Sequence, residues 1–233
     1  AEKYILKSNQ FGDAGNSDSA LYNIQKLVEE NPESYDAYNR LGLVYGGRKE
    51  MLLSEEAYKK AIELNPDNYE AYTRLCGQHI MYGFYAILPE DNRDIEKGRE
   101  YTEKLIELKP NRAHGYHFKA NSFRQTAEFK KAIPLYDRAI ELSKGTDSEA
   151  AETYVSAHNL MFSGDFNKAR ERYKKAVKIA QDKKDFTTEG DIMNYITLSF
   201  LFQKNFEGAL DNLYAMMENL ESNKDLSEAE YLD

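Results

Sequence analysis

The chain has 233 residues, of which 40 are acidic and 31 basic, so its formal net charge is −9 at neutral pH. This length is sufficient to bury a core without disulfides, and an aromatic content of 12% excludes a chain that stays disordered for lack of apolar surface. The excess of acidic residues opposes the counterion release that drives nucleic-acid binding, so we expect no nucleic-acid partner.

The sequence gives some information on cellular compartment and membrane association. The longest apolar stretch, residues 80–88, is interrupted by Gly83 and is about half as long as a membrane-spanning helix, so we expect no membrane insertion. Cys76 is the single cysteine and cannot form an internal disulfide, which favours the cytoplasm. The chain starts at Ala1 without Met, so an exported or periplasmic location and a longer parent protein stay open.

Residues 35–68 carry the clearest periodic pattern. Aromatic and apolar residues recur there with helical spacing in two stripes, which predicts two packed helices. The two stripes consist of Tyr38, Leu41, Tyr45, Tyr58 and Ala61. Gly42 and Ser54 are small residues that let the two helices approach closely, and Pro66 ends the second helix.

This pattern resembles a tetratricopeptide repeat, and the same template can be laid along nearly the whole chain. Six repeats result, at approximately 1–34, 35–68, 69–112, 113–149, 150–189 and 190–220. The resemblance implies an all-α fold, a right-handed α-solenoid of six helix-turn-helix repeats. We expect a single solenoid over residues 1–220, followed at 221–233 by a polar tail or the start of a capping helix.

Repeat 3 is ten residues longer than the 34-residue template, with the excess between His79 and Asp94. Its aromatic side chains Tyr82, Phe84 and Tyr85 are candidates for an accessory wall of a partner site, because exposed aromatic patches tend to mark contacts. The alternative is that these rings pack beneath the lengthened loop.

Catalytic motifs are absent from the sequence. It contains no glycine-rich phosphate loop, no nucleophile elbow and no paired-cysteine or paired-histidine zinc motif. We therefore predict no catalytic residues, no cofactor and no enzymatic activity.

The family resemblance implies a non-catalytic scaffold that binds a protein or peptide in a concave groove lined by the first helix of each repeat. In repeats 4 to 6 the groove positions concentrate hydrogen-bonding and aromatic side chains, which ligand recognition requires. The predicted partner-binding residues are His114, His117, Asn121, Arg124, Tyr154, His158 and Asn194.

Three of these residues are histidines, which makes a metal site geometrically conceivable. His114 and His117 are one helical turn apart, and His158 comes from the next first helix. No cysteine or carboxylate completes an obvious ligand set, so we predict hydrogen-bonding histidines and no metal.

Many eukaryotic relatives bind chaperone C-terminal tails through a clamp of Lys, Asn and Arg side chains. With repeat 1 as the first of three, Asn9 and Arg74 match this clamp but Ile5, Arg40 and Glu70 do not. No group of three consecutive repeats carries all the clamp residues, so chaperone-tail binding is not expected.

Two alternative functions stay open. One is an assembly subunit that self-associates through the solenoid ends or the convex face, and the other is an accessory interaction domain of a larger enzyme or sensor. The sequence leaves the partner and the oligomeric state undetermined.

Overall fold

The computed structural model describes the backbone of residues 2–80 and 88–230, and the side chains of these residues except Phe186 and residues 219–230. All regular structure in this part of the chain is helical. The helices are α1 (Glu2–Asp13), α2 (Ser17–Glu30), α3 (Tyr35–Gly47), α4 (Met51–Leu64), α5 (Tyr69–His79), α6 (Ile95–Leu108), α7 (Ala113–Gln125), α8 (Phe129–Ser143), α9 (Glu149–Phe162), α10 (Phe166–Asp182), α11 (Phe186–Phe202) and α12 (Phe206–Glu230).

The helices form two compact units. Unit 1 is Ala1–Thr126 and contains α1 to α7, and unit 2 is Ala127–Asp233 and contains α8 to α12. Within each unit every helix packs against the next helix in sequence. The predicted fold class, an all-α solenoid of helix pairs, is confirmed. The single solenoid over residues 1–220 stays a prediction, and α12 continues as helix past residue 220 to Glu230.

Short polar connections define where the helices begin. In most connections an Asn, Ser or Asp side chain accepts a hydrogen bond from the backbone N–H three residues later, which satisfies one of the unpaired donors of the first turn. These capping residues are Asn16, Ser34, Asn68, Asp94, Asp165, Asp185 and Asn205.

The turn inside most helix pairs places one residue in the left-handed region. Gly15 and Gly164 have φ angles of 72° and 85°, which glycine adopts without strain. Lys49, Ala127 and Lys204 hold the corresponding places with φ between 57° and 62°. At Gly15, Lys49, Gly164 and Lys204, which lie within one unit or the other, the chain therefore reverses in the same manner although only two of these residues are glycine.

Small residues mark the crossing points of the first two helix pairs. The Ser54 hydroxyl of α4 donates to the carbonyl oxygen of Gly42 in α3 at 2.7 Å. The Ser8 hydroxyl of α1 donates in the same way to Ala20 of α2 at 3.1 Å. A Cβ atom on Gly42 would lie 2.7 Å from the Tyr58 ring, so this crossing has no room for a side chain.

The equivalent crossing of α5 and α6 accounts for the single cysteine. Cys76 of α5 is fully buried and its Sγ lies 3.8 Å from the carbonyl oxygen of Gly98 in α6. Burial raises the pKa of this thiol well above its ordinary value. Cys76 is therefore a small packing residue of repeat 3 and is held in the unreactive thiol form.

His79, at the end of α5, is 2% exposed and contacts both α4 and the residue that precedes α6. Its Nδ1 accepts the backbone N–H of Asp94 at 3.1 Å, and its Nε2 lies 3.3 Å from Oε1 of Glu55 on α4. An accepting Nδ1 requires the neutral ring with its hydrogen on Nε2. The neutral imidazole thus links α4 to the start of α6.

We predict that Gly42→Ala and Gly47→Ala change stability in opposite directions although both lie in α3. Alanine at 42 must displace the buried Tyr58 ring and should lower the free energy of unfolding by about 1–3 kcal/mol. Gly47 has no neighbour within 4 Å of an added Cβ, so alanine there should be neutral or stabilising by up to about 1 kcal/mol. Urea denaturation measures both. Equal effects of the two substitutions would show that the crossing tolerates a side chain.

We also predict that His79 makes the protein sensitive to acid. Burial lowers the pKa of His79 below its ordinary 6.5, so between that lowered value and 6.5 the unfolded chain binds more protons than the folded one. The stability therefore falls as the pH falls through this window. His79→Gln can accept from Asp94 and donate to Glu55 without titrating, and should lose less stability than the wild type between pH 7 and pH 5.

The control is Leu52→Ala, which truncates an exposed side chain of the same unit without removing a titratable group. Urea denaturation at each pH should give this variant the pH dependence of the wild type. A His79→Gln protein that loses stability as steeply as the wild type would show that His79 does not titrate in this range.

Candidate partner-binding site

The four predicted residues of unit 1 lie on α7 and differ in accessibility. His114 is exposed and Arg124 is half-buried, whereas His117 and Asn121 are buried. The His117 ring meets the Phe118 ring edge-on at a centroid distance of 6.2 Å. Of these four side chains a ligand can therefore reach His114 and Arg124, near the two ends of α7.

In unit 2, His158 of α9 is held inside a cluster of tyrosine rings. Its ring centroid lies 3.9 Å from that of Tyr195 on α11 and 5.5 Å from those of Tyr154 and Tyr173. Its Nδ1 is 3.0 Å from the carbonyl oxygen of Tyr154. The cluster joins α9 to α11 and leaves Tyr154 partly accessible.

The exposed surface beside this cluster is mainly apolar and lies on α11. Asn194 is exposed, and Leu198, Leu201 and Phe202 follow it at helical spacing with exposed fractions of 40%, 43% and 61%. We call the surface formed by Tyr154, Asn194, Leu198, Leu201 and Phe202 the α9–α11 face, and His158 is buried beside it.

The opposite side of α11 is fixed in the core of unit 2. Ile192 and Ile196 are buried, and the Arg170 guanidinium of α10 lies 4.2 Å from the Phe200 ring centroid. Arg170 also donates to the side-chain oxygen of Gln203 at 2.6 Å. The exposed stripe of α11 is thus presented by a rigid helix.

Leu198, Leu201 and Phe202 are not among the binding residues predicted from the sequence. The repeat template places all three at groove-facing positions of repeat 6, so the sequence pattern could have identified them. Hydrogen-bonding and aromatic side chains were predicted instead, because ligand recognition requires specific hydrogen bonds and buried rings. The accessory wall predicted at Tyr82, Phe84 and Tyr85 lies outside the described residues.

Among the described side chains, no group of three His, Cys, Asp or Glu residues could hold a metal ion. Within the described part of the chain, no helix combines the length and the apolar character needed to cross a bilayer.

Comparison with known families agrees with this architecture. The model described as Tetratricopeptide repeat matches residues 35–68. The model described as Soluble NSF attachment protein, SNAP, matches residues 111–230, which is 120 of the 233 residues. The chain therefore belongs to the tetratricopeptide repeat family and, over residues 111–230, to the family described as Soluble NSF attachment protein, SNAP.

Solved structures with the same fold are similar over most of the chain. The type IV pilus biogenesis factor PilW has a TM-score of 0.72 at 13% identity, covering 98% of this chain and 97% of its own. A tetratricopeptide repeat protein from Parabacteroides merdae has a TM-score of 0.71 at 13% identity, covering 93% and 78%. YrrB, described as having an unusual peptide-binding site, has a TM-score of 0.57 at 18% identity, covering 82% and 88%.

These identities are low, so the similarity establishes the fold alone. The search of curated proteins gives no significant match. The family is typically one of protein-interaction scaffolds, and the residues that bind a partner have to be argued from this chain.

Proposed function

We propose that this protein is a non-catalytic scaffold that binds a protein or peptide through the first helices of repeats 4 to 6. The observation that carries the proposal is the α9–α11 face, where exposed apolar side chains stand beside hydrogen-bonding groups on a rigid support. The family supports a protein-interaction role, and YrrB is a peptide-binding protein of the same fold.

The chemistry of the α9–α11 face indicates what a ligand offers. Leu198, Leu201 and Phe202 provide contact surface for apolar side chains of a peptide. The exposed Asn194 amide both donates and accepts, which suits the backbone of an extended or helical segment. Tyr154 adds a ring and a hydroxyl at the edge of the face.

The predicted residues of α7 are proposed as a second contact. Arg124 is accessible enough to pair with a carboxylate or carbonyl group of the partner, and the exposed His114 is a further donor or acceptor. His117 and Asn121 are buried, so we propose that they act by supporting α7. His158 has the same supporting role in unit 2 because it positions Tyr154.

The proposal is tested by selecting peptides from a displayed random library on the purified chain and measuring the dissociation constants of the selected peptides by fluorescence anisotropy. Leu198→Ala, Tyr154→Ala and Arg124→Ala should each weaken binding by at least about 1 kcal/mol, or about fivefold, since each removes a side chain that touches the ligand.

The matched control is Leu52→Ala, which truncates an equally exposed leucine on α4 of unit 1. This variant should bind like the wild type. A library that yields no saturable binder, or selected peptides that bind all three groove variants normally, would contradict the proposed function.

A further inference from the structure

The outer side of α12 carries a stripe of exposed apolar side chains that the proposed function does not use. Its members are Phe206, Leu210, Leu213, Tyr214 and Met217, with exposed fractions between 43% and 69%. Their spacing places them on one side of the helix. We call this surface the α12 outer face.

The other side of α12 packs against α11. Ala209 is buried, and the Asn212 amide donates to the carbonyl oxygen of Met193 at 3.0 Å and to the Thr197 hydroxyl at 2.8 Å. These contacts fix the rotation of α12 about its axis. The apolar outer face is therefore a defined surface of unit 2.

The preceding helix pair, α9 and α10, shows what the equivalent surface contacts when another helix covers it. Phe166, Arg170, Tyr173 and Val177 of α10 stand forty residues before Phe206, Leu210, Leu213 and Met217 of α12. On α10 these positions contact the next helix, α11: Phe166 stacks on Phe202 at 6.5 Å and Tyr173 stacks on Tyr195 at 6.1 Å.

The pair before it repeats the arrangement, since Phe129 of α8 stacks on Phe162 of α9 at 6.5 Å. The position at the start of α8, α10 and α12 is phenylalanine in each case. On α8 and α10 it meets a phenylalanine at the end of the following first helix. The shape of the α12 outer face thus fits an amphipathic helix with an aromatic residue near its C-terminal end.

Charge indicates which helix fits. Between residues 205 and 218 the charged residues are Glu207, Asp211 and Glu218, with no lysine or arginine. The covered α10 has the opposite arrangement, because it carries six basic residues and its occupant α11 carries only Glu189 and Asp191. A second copy of α12 would bring like charges together, whereas a basic helix would neutralise them.

We propose that the α12 outer face binds an amphipathic helix of a partner protein that carries lysine or arginine beside its apolar stripe. The apolar side chains provide the contact surface, and the acidic residues select a basic partner and orient it. This site is separate from the α9–α11 face and goes beyond the proposed function.

The probe is a synthetic peptide based on residues 186–203, because α11 already fits the equivalent surface of α10. Positions 191, 194, 197, 198 and 201, which face solvent or α12 in this chain, are all lysine in one version and all glutamate in a matched version. Binding is measured by fluorescence anisotropy at low and high salt.

The lysine peptide should bind the wild-type protein at least tenfold more tightly than the glutamate peptide, and high salt should reduce the difference. Leu210→Asn and Leu213→Asn should each weaken binding at least fivefold while the circular dichroism spectrum is unchanged. Asp211→Asn should reduce the preference for lysine without altering a core contact, and Leu52→Asn on α4 should bind like the wild type.

Three results would overturn the inference. Equal binding of the two peptides, or no saturable binding of either, would remove the basic helix as occupant. A dimer in sedimentation velocity that Leu210→Asn dissociates would show that the occupant is a second copy. Failure here leaves the proposed function intact, because library peptides bound at the α9–α11 face should bind the Leu210→Asn variant normally.

Discussion

The rest of the structure depends on the close crossing of two helices at a pair of small residues. At the Gly42 and Ser54 crossing a hydroxyl of one helix donates to a backbone carbonyl of the other, and a ring fills the space where a side chain would stand. This contact fixes the distance within the pair. Each pair then packs its two helices together on one side and has another apolar side for the next pair.

The α9–α11 face follows from this arrangement. Because α11 buries Ile192 and Ile196 and is clamped by Arg170, the residues on its far side are exposed whatever their polarity. Leucine and phenylalanine at those positions keep 40% to 61% of their side chains exposed in the folded chain, which makes their exposure informative about binding. The neighbouring histidine serves packing instead, since three tyrosine rings surround it.

The α12 outer face has the same physical origin with a different outcome. A second helix in this architecture has two apolar sides, one for its own pair and one for the following helix. On α10 the second side is covered by α11, and on α12 it is exposed and bordered by acidic groups. The same local sequence logic therefore produces a core contact in one pair and a candidate docking surface in the next.

The sequence by itself determined the helix pairs and their crossings, because periodicity, capping residues and small residues act locally, as at Gly42 and Ser54. The repeat pattern in the sequence also assigned Tyr154 and Asn194 to the first helices of repeats 5 and 6. Only the tertiary structure decided which of those positions are accessible, since burial depends on neighbouring helices. It placed His117 and Asn121 inside unit 1 and left Leu198 exposed, a distinction that residue type alone would reverse.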